Sequence, residues 1–248
     1  MTKPRVAIFD FACCEGCQLQ IVNMEEELLD LIGAVDVVEW REAMSEQNRE
    51  YDIAIIEGSI TRPEDAKRLE IIRSRCKILI ALGACATLGG VNKLKNNFDL
   101  NEVKRCVYGK DADMPHLETM PTKAVHEVVD VDFKIHGCPI DRKEFGMVIR
   151  ALLLGKKPMV PDYPVCVECK AKENVCLYEY DKICLGPIIR AGCGARCPSN
   201  GFRCFGCRGY VDHPNVDAAR EVMDKYGLTV EDLRQKMVLF GCEQGPTV

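Results

Sequence analysis

The stretch RVAIFDFACCEGCQLQ, Arg5 to Gln20, runs from an apolar strand directly into Cys13, Cys14 and Cys17 and then opens a helix. Arg5–Phe11 has the continuous apolar character of a strand covered on both faces of a parallel sheet. Working outward, Leu19, Ile21, Val22, Leu28, Leu29 and Ile32 recur at a roughly helical period, which predicts one helix over Cys17–Ile32. Val35–Trp40 and Asp52–Glu57 read as the next two strands. Thr61-Arg62-Pro63-Glu64 predicts a helix start, with Thr61 as N-cap and Glu64 reaching back, and that helix runs to about Arg75. Lys77–Ala84 and Phe133–His136 are the fourth and fifth strands, and Arg142–Leu154 a further helix; Thr87–Val131 reads as loops and short helices. Strands separated by helices predict an α/β fold, a flavodoxin-like doubly wound parallel sheet.

On such a sheet the cysteines fall at strand ends. Cys14 and Cys17 follow the first strand, Cys85 ends the fourth and Cys138 ends the fifth. Ligands of open α/β sheets sit outside the carboxyl ends of the strands, where the strand order switches. Four thiols from three strand ends are therefore expected to converge on one point. Gly16, Gly83, Gly89, Gly90 and Gly137 flank them and let the backbone approach a bulky cofactor, and the turn before the first helix offers N–H groups to an anionic centre. Four thiolates hold either zinc or an iron–sulfur cubane. Structural zinc generally draws on two paired knuckles, whereas this set has one pair and two singles, which favours the cubane.

The bulk numbers narrow the class. A chain of 248 residues with 47% hydrophobic and 29% charged residues has room for one large domain or two unequal ones. A net charge of −5 and the lack of any run of five Lys/Arg argue against a nucleic-acid binder. The longest apolar run, Ile78–Ala86, falls far short of the roughly 20 residues a membrane span needs. No export signal precedes the first strand, so the expected location is cytoplasmic. Sixteen cysteines are far too many for such a compartment unless they bind metal. Cys76, Cys106 and Cys242 are accounted for as small buried hydrophobes; repeated C-x-x-C pairs are not.

Past Gly155 the texture changes. Lys156–Pro164 is a Pro-rich linker, which divides the chain into residues 1–157 and 158–248. Eight cysteines then fall within 42 residues: Cys166, Cys169, Cys176, Cys184, Cys193, Cys197, Cys204 and Cys207. With little apolar periodicity, this segment is expected to need metal to fold. Order in the chain suggests Cys166/Cys169/Cys176/Cys184 for one cubane and Cys193/Cys197/Cys204/Cys207 for a second; an interleaved pairing is the rival. The segment would then be a small, irregular, ferredoxin-like iron–sulfur domain. From Lys156 to Arg208 there are nine Lys/Arg against five Asp/Glu, a local balance of +4; Arg196, Arg203 and Arg208 are expected to offset the charge of thiolate-bound clusters. Val216–Tyr226 and Val230–Phe240 read as amphipathic helices, the second capped by Thr229 with Asp232.

Taken in order, Cys14-Glu-Gly-Cys17, Glu57-Gly-Ser, Gly83-Ala-Cys85-Ala, Gly137-Cys138-Pro139, Cys184-Leu-Gly-Pro, Cys193 and Cys204-Phe-Gly-Cys207 resemble the small subunit of nickel–iron hydrogenases over nearly the whole chain. The resemblance implies three 4Fe–4S clusters: a proximal one on Cys14, Cys17, Cys85 and Cys138 beside a catalytic subunit, a medial one on Cys193, Cys197, Cys204 and Cys207, and a distal one on Cys166, Cys169, Cys176 and Cys184. It also implies a nickel–iron large subunit as partner, a further flavin- or iron–sulfur-bearing redox subunit, and electron transfer as this chain's role. The nickel site of that family needs C-x-x-C pairs of its own and belongs to the large subunit, so no catalytic residue is expected here. Three departures matter. The distal set starts with Cys166 where membrane-bound and periplasmic relatives place histidine. Cys197 supplies a medial ligand they often lack, and Glu15 stands where threonine is common. These features are similar to the soluble, multi-subunit hydrogenases.

Two other readings compete. The cluster subunit of respiratory complex I also ends its first strand in adjacent cysteines but lacks the eight-cysteine segment; a zinc-stabilised interaction protein is the third. Cys13 reads as a buried neighbour of the ligands. Glu57 ends a strand, where it either accepts backbone hydrogen bonds or serves a proton path or subunit interface. His116, His126, His136 and His213 show no ligand spacing and read as structural.

Overall fold

In the computed structural model, which describes residues 3–109, 112, 118–213 and 216–241, five parallel strands lie in the order β2-β1-β3-β4-β5. They are β1 (Arg5–Asp10), β2 (Asp36–Trp40), β3 (Ile53–Glu57), β4 (Ile78–Leu82) and β5 (Phe133–Ile135). This is the flavodoxin-like order, with its switch point between β1 and β3. Register aligns Asp10 with Glu57, Glu57 with Leu82 and Leu82 with Ile135, so the four carboxyl ends open on one edge.

Both sheet faces are covered, as the apolar runs require. One face packs under α1 (Gly16–Val22), α2 (Glu26–Ala34) and α6 (Arg142–Leu153), around Ile8, Ile55, Ile80, Ile135 and Phe145. The other packs Ala7, Ile56, Leu79 and Ala81 against Leu69 and Ile72 of α3 (Pro63–Arg75) and against Val125. Leu69 is fully buried, which stabilises the fold by roughly 1.5–3 kcal/mol.

Three local expectations are corrected. The predicted single helix Cys17–Ile32 is two helices, because the chain breaks at Glu25 with φ 55. Thr61 is not the N-cap of α3: Arg62 takes that place and Pro63 the first helical position, where its missing N–H costs nothing. Arg62 pairs instead with Asp65 at 2.8 Å. Nor does Cys85 end a strand. β4 stops at Leu82, and Cys85 lies in the short helix α4 (Gly83–Leu88). Between α4 and β5 come the expected short pieces, among them α5 (Leu100–Tyr108). His116 and Cys242 fall outside the described residues.

Beyond residues 156–164, which form no helix or strand, lie α7 (Val165–Ala171), α8 (Arg196–Ser199), α9 (Val216–Lys225) and α10 (Val230–Met237). The cysteine-rich segment has more apolar support than its own periodicity suggests. Val165, Leu177, Leu185 and Ile189 pack with Met223, Leu233 and Met237, so α9 and α10 supply the surface it lacks. Thr229 caps α10 with Asp232 in a reciprocal capping box, as its sequence predicts. Val238–Phe240 continues α10 as a 3₁₀ turn.

Candidate metal centres

The first group forms at the carboxyl edge of the sheet. Cys14 and Cys17 lie in the turn from β1 into α1, Cys85 in α4 and Cys138 just after β5. Burial first, then the charges of Cys138 and Cys14, raise the Cys85 thiol, and burial and Glu57, with a smaller part from Cys138, raise Cys17. The Ala84 N–H donates to the Gly137 carbonyl at 2.7 Å, tying the α4 and β5 ends together. Two glycines make room for the thiols. A Cβ on Gly83, at φ +81, would stand 2.4 Å from Cys17 Sγ, and one on Gly90 would stand 2.7 Å from Cys85 Sγ. Gly89 and Gly137 meet Lys93 and the Pro139 carbonyl instead, so their freedom serves the turns. Cys13 sits beside this group, its thiol raised to about 12 by burial and then by the Glu57 carboxylate.

Glu57 ends β3 at the switch point, 2% exposed, and its carboxylate accepts from the Cys17 N–H at 3.0 Å and the Gln18 N–H at 3.1 Å. It caps α1 from a distance of forty residues, since Glu15 at the N-cap position is left-handed and makes no cap bond. The backbone-acceptor reading of Glu57 is therefore the one observed. Glu57→Ala should destabilise the chain by roughly 1–3 kcal/mol because two buried N–H groups lose their acceptor. Glu57→Gln keeps one oxygen and should lose less. Melting curves of both variants check the order, and equal losses would mean that the charge matters and the acceptors do not.

The eight later cysteines separate into two cavities. Cys166, Cys169, Cys176 and Cys184 line one of about 60 Å³. Cys193, Cys197, Cys204 and Cys207 line another of about 80 Å³, and Cys138 of the first group reaches its wall. The contiguous division thus matches the cavities, and the interleaved one does not. Two contacts join the groups: Cys138 lines the same cavity as Cys207, and the Cys204 N–H donates to Cys184 Sγ at 3.2 Å. The three groups stand in series, with the Cys193–Cys207 group in the middle.

Four cysteine sulfurs round each of these cavities form a soft donor set that suits a thiophilic centre. Burial, ahead of any charge effect, pushes Cys85, Cys166 and Cys207 up to about 12. Thiols so placed become thiolates only when a metal cation takes the place of the proton. Among the described residues no three His, Cys, Asp or Glu are gathered tightly enough to hold one metal ion. The sulfurs line cavities of about 60 and 80 Å³ in the second part of the chain. A Cβ on Gly186 would stand 3.2 Å from Cys166 Sγ and 3.5 Å from Cys184 Sγ, filling that space.

Arg208 lines the Cys193–Cys207 cavity and has a second partner that its sequence neighbourhood does not show. It is 1% exposed and spends its charge on Glu144 of α6 at 2.7 Å, with further bonds to the Ala191 and His136 carbonyls. Arg203 stacks over Phe205, and Arg196 favours the Cys197 thiolate. His136 faces the Thr87 hydroxyl, half-buried, and desolvation lowers its pKa to about 3, a structural setting as expected. Sequence reasoning missed Glu168, whose carboxylate accepts from the Gly192 and Ala195 N–H groups and so fixes the loop carrying Cys193. It also missed Tyr178, whose hydroxyl donates to the Cys184 carbonyl.

Residues 14–152 match the family described as NADH ubiquinone oxidoreductase, 20 Kd subunit. The chain is 37% identical to sulfhydrogenase 2 subunit delta of Pyrococcus furiosus, across 95% of this chain and 98% of that one. The chain belongs to this family. Within it the chain is a hydrogenase small subunit, a member of an oxidoreductase complex. It is 32% identical to a subunit of the F420-non-reducing hydrogenase vhu of Methanococcus voltae, over 96% of this chain and 94% of the relative. A chain of an NAD+-reducing [NiFe]-hydrogenase superposes on this small subunit with a TM-score of 0.59 and 28% identity, covering 64% of this chain and 96% of the other. An actinobacterial-type NiFe-hydrogenase from Ralstonia eutropha H16, 14% identical at TM-score 0.61, shares the fold across 100% of this chain and 93% of its own. No described helix is long and apolar enough to cross a membrane.

Proposed function

We propose that this small subunit is the electron-transfer arm of a cytoplasmic nickel–iron hydrogenase. Cys14, Cys17, Cys85 and Cys138 would hold a proximal 4Fe–4S cluster, Cys193, Cys197, Cys204 and Cys207 a medial one, and Cys166, Cys169, Cys176 and Cys184 a distal one. When bound, such clusters accept and release one electron at a time. The observation that carries the reading is the serial arrangement of the groups: Cys138 lines the cavity of the Cys193–Cys207 group, and the Cys204 N–H donates to Cys184 Sγ. A conduit needs its centres adjacent and in order.

The protein's own residues do the rest. The sheet end and α4 position the first group, with Cys17 buried, Cys85 half-buried and Cys14 and Cys138 left at the surface. Glu57 fixes the turn carrying Cys17, Glu168 fixes the loop carrying Cys193, and Tyr178 holds the Cys184 backbone. Residues 1–157 and 158–248 are read as two domains, each built round its clusters, with Arg208 and Glu144 as the pin between them.

The partners follow from the relatives: a nickel-bearing large subunit against the proximal group, and a flavin- or iron–sulfur-bearing subunit beyond the distal one. The complex I reading is weaker because that family match ends at residue 152, whereas the 37%-identical hydrogenase relative covers 95% of the chain. Anaerobic affinity purification from the native source tests the proposal. A nickel-containing subunit and a flavin- or cluster-bearing subunit should come with the tagged chain. Recovery of this chain alone, carrying zinc, would overturn it.

A further inference from the structure

A groove of about 410 Å³ opens where the second and third cysteine groups meet. Its walls are Asp181, Lys182 and Ile183, which lead into Cys184, and Phe202, Arg203 and Phe205, which bracket Cys204; Lys236 of α10 closes it. Three cations face one carboxylate, on a chain whose net charge is −5. Asp232, one turn before Lys236, feels that cation but does not line the groove.

The groove is also apolar at its lip. Phe202 is 62% exposed, an unusual place for a large aromatic ring, while Arg203 lies over Phe205 at 5.1 Å and is held in place by it. Lys182 donates to the Gly201 carbonyl at 3.1 Å, which fixes its ammonium above the groove with donors to spare. An exposed aromatic ring ringed by ordered cations has the composition of an interface core with a charged rim. None of these residues is needed to build the cysteine cavities, apart from the contact of Phe205 with one of them.

The geometry points to this groove as the docking site of an acidic redox subunit, whose carboxylates meet Lys182, Arg203 and Lys236 while an apolar residue covers Phe202. A subunit seated here stands directly over the Cys184–Cys204 link. One electron leaves this chain for each electron that the partner's flavin or cluster gains, and the reverse direction uses the same contact. The inference rests on the electron-transfer reading above and adds to it the face and the sign of charge.

Zero-length carbodiimide coupling of the intact, anaerobically purified complex tests it, because the reagent joins lysine amines only to carboxylates already in contact. Peptide mapping should find Lys182 or Lys236 joined to an Asp or Glu of the flavin- or cluster-bearing subunit. The double variant Lys182→Glu/Lys236→Glu should retain that subunit roughly tenfold less well at about 0.15 M salt, with its iron content unchanged. Coupling of both lysines only to carboxylates of this chain or of the nickel subunit would overturn the inference, as would undiminished retention of the redox subunit by the double variant. Failure of the electron-transfer reading itself would look different: the wild-type chain would carry no iron.

Discussion

Arg208→Met is expected to destabilise the chain by about 3–5 kcal/mol, because it leaves a buried carboxylate without its counter-ion. Glu144 is 5% exposed on α6, and its pKa is raised by burial against the pull of Arg208. The guanidinium also carries the Ala191 and His136 carbonyls, so its loss strips acceptors on both sides of the joint. Gly192 is part of the same fit, since a Cβ there would stand 2.5 Å from the Arg208 guanidinium. At 248 residues the loss corresponds to a melting shift of roughly 10 °C, measured by calorimetry on anaerobic protein. The double replacement Arg208→Met/Glu144→Met removes both charges and should recover part of the loss, as buried pairs replaced by apolar groups generally do. A shift of less than about one degree for Arg208→Met would contradict the pin.

Cys176→Ala should remove one centre selectively. Cys176 lies at the edge of its cavity, just before the 3₁₀ turn Leu177–Tyr180, and is exposed where Cys184 is buried. Its loss leaves three thiols round that cavity, so iron should fall from roughly twelve to roughly eight atoms per chain. Reduction of the physiological acceptor should stop, while the large subunit stays bound, because the first group lies at the far end of the series. Full iron and undiminished acceptor reduction would remove Cys176 from the ligand set.

The fold was largely legible from the sequence because parallel strands covered on both faces print as unbroken apolar runs. Arg5–Phe11, Asp52–Glu57 and Lys77–Ala84 are such runs, and the strand order they imply is the one observed. Boundaries were less legible. The break at Glu25 follows from a backbone turn that no glycine or proline marks, and α4 begins one residue after β4 because Gly83 can adopt positive φ. The strand-end places of Cys14, Cys17 and Cys138 were legible from the strand pattern, whereas Cys85 lies three residues past β4, inside α4. The pairing of Arg208 with Glu144 was not legible, because the two lie 64 residues apart and local charge counting cannot see a buried pair across two parts of a chain. Glu168 carries no sequence signal either, being a carboxylate that satisfies backbone N–H groups distant in sequence, whereas the strand-end place of Glu57 did suggest its acceptor role.

Iron and acid-labile sulfide per chain, measured on the intact complex purified without oxygen, test the central claim most directly. Twelve cysteines arranged as three groups in series predict roughly twelve iron and twelve sulfide. About four of each, with zinc making up the difference, would contradict it.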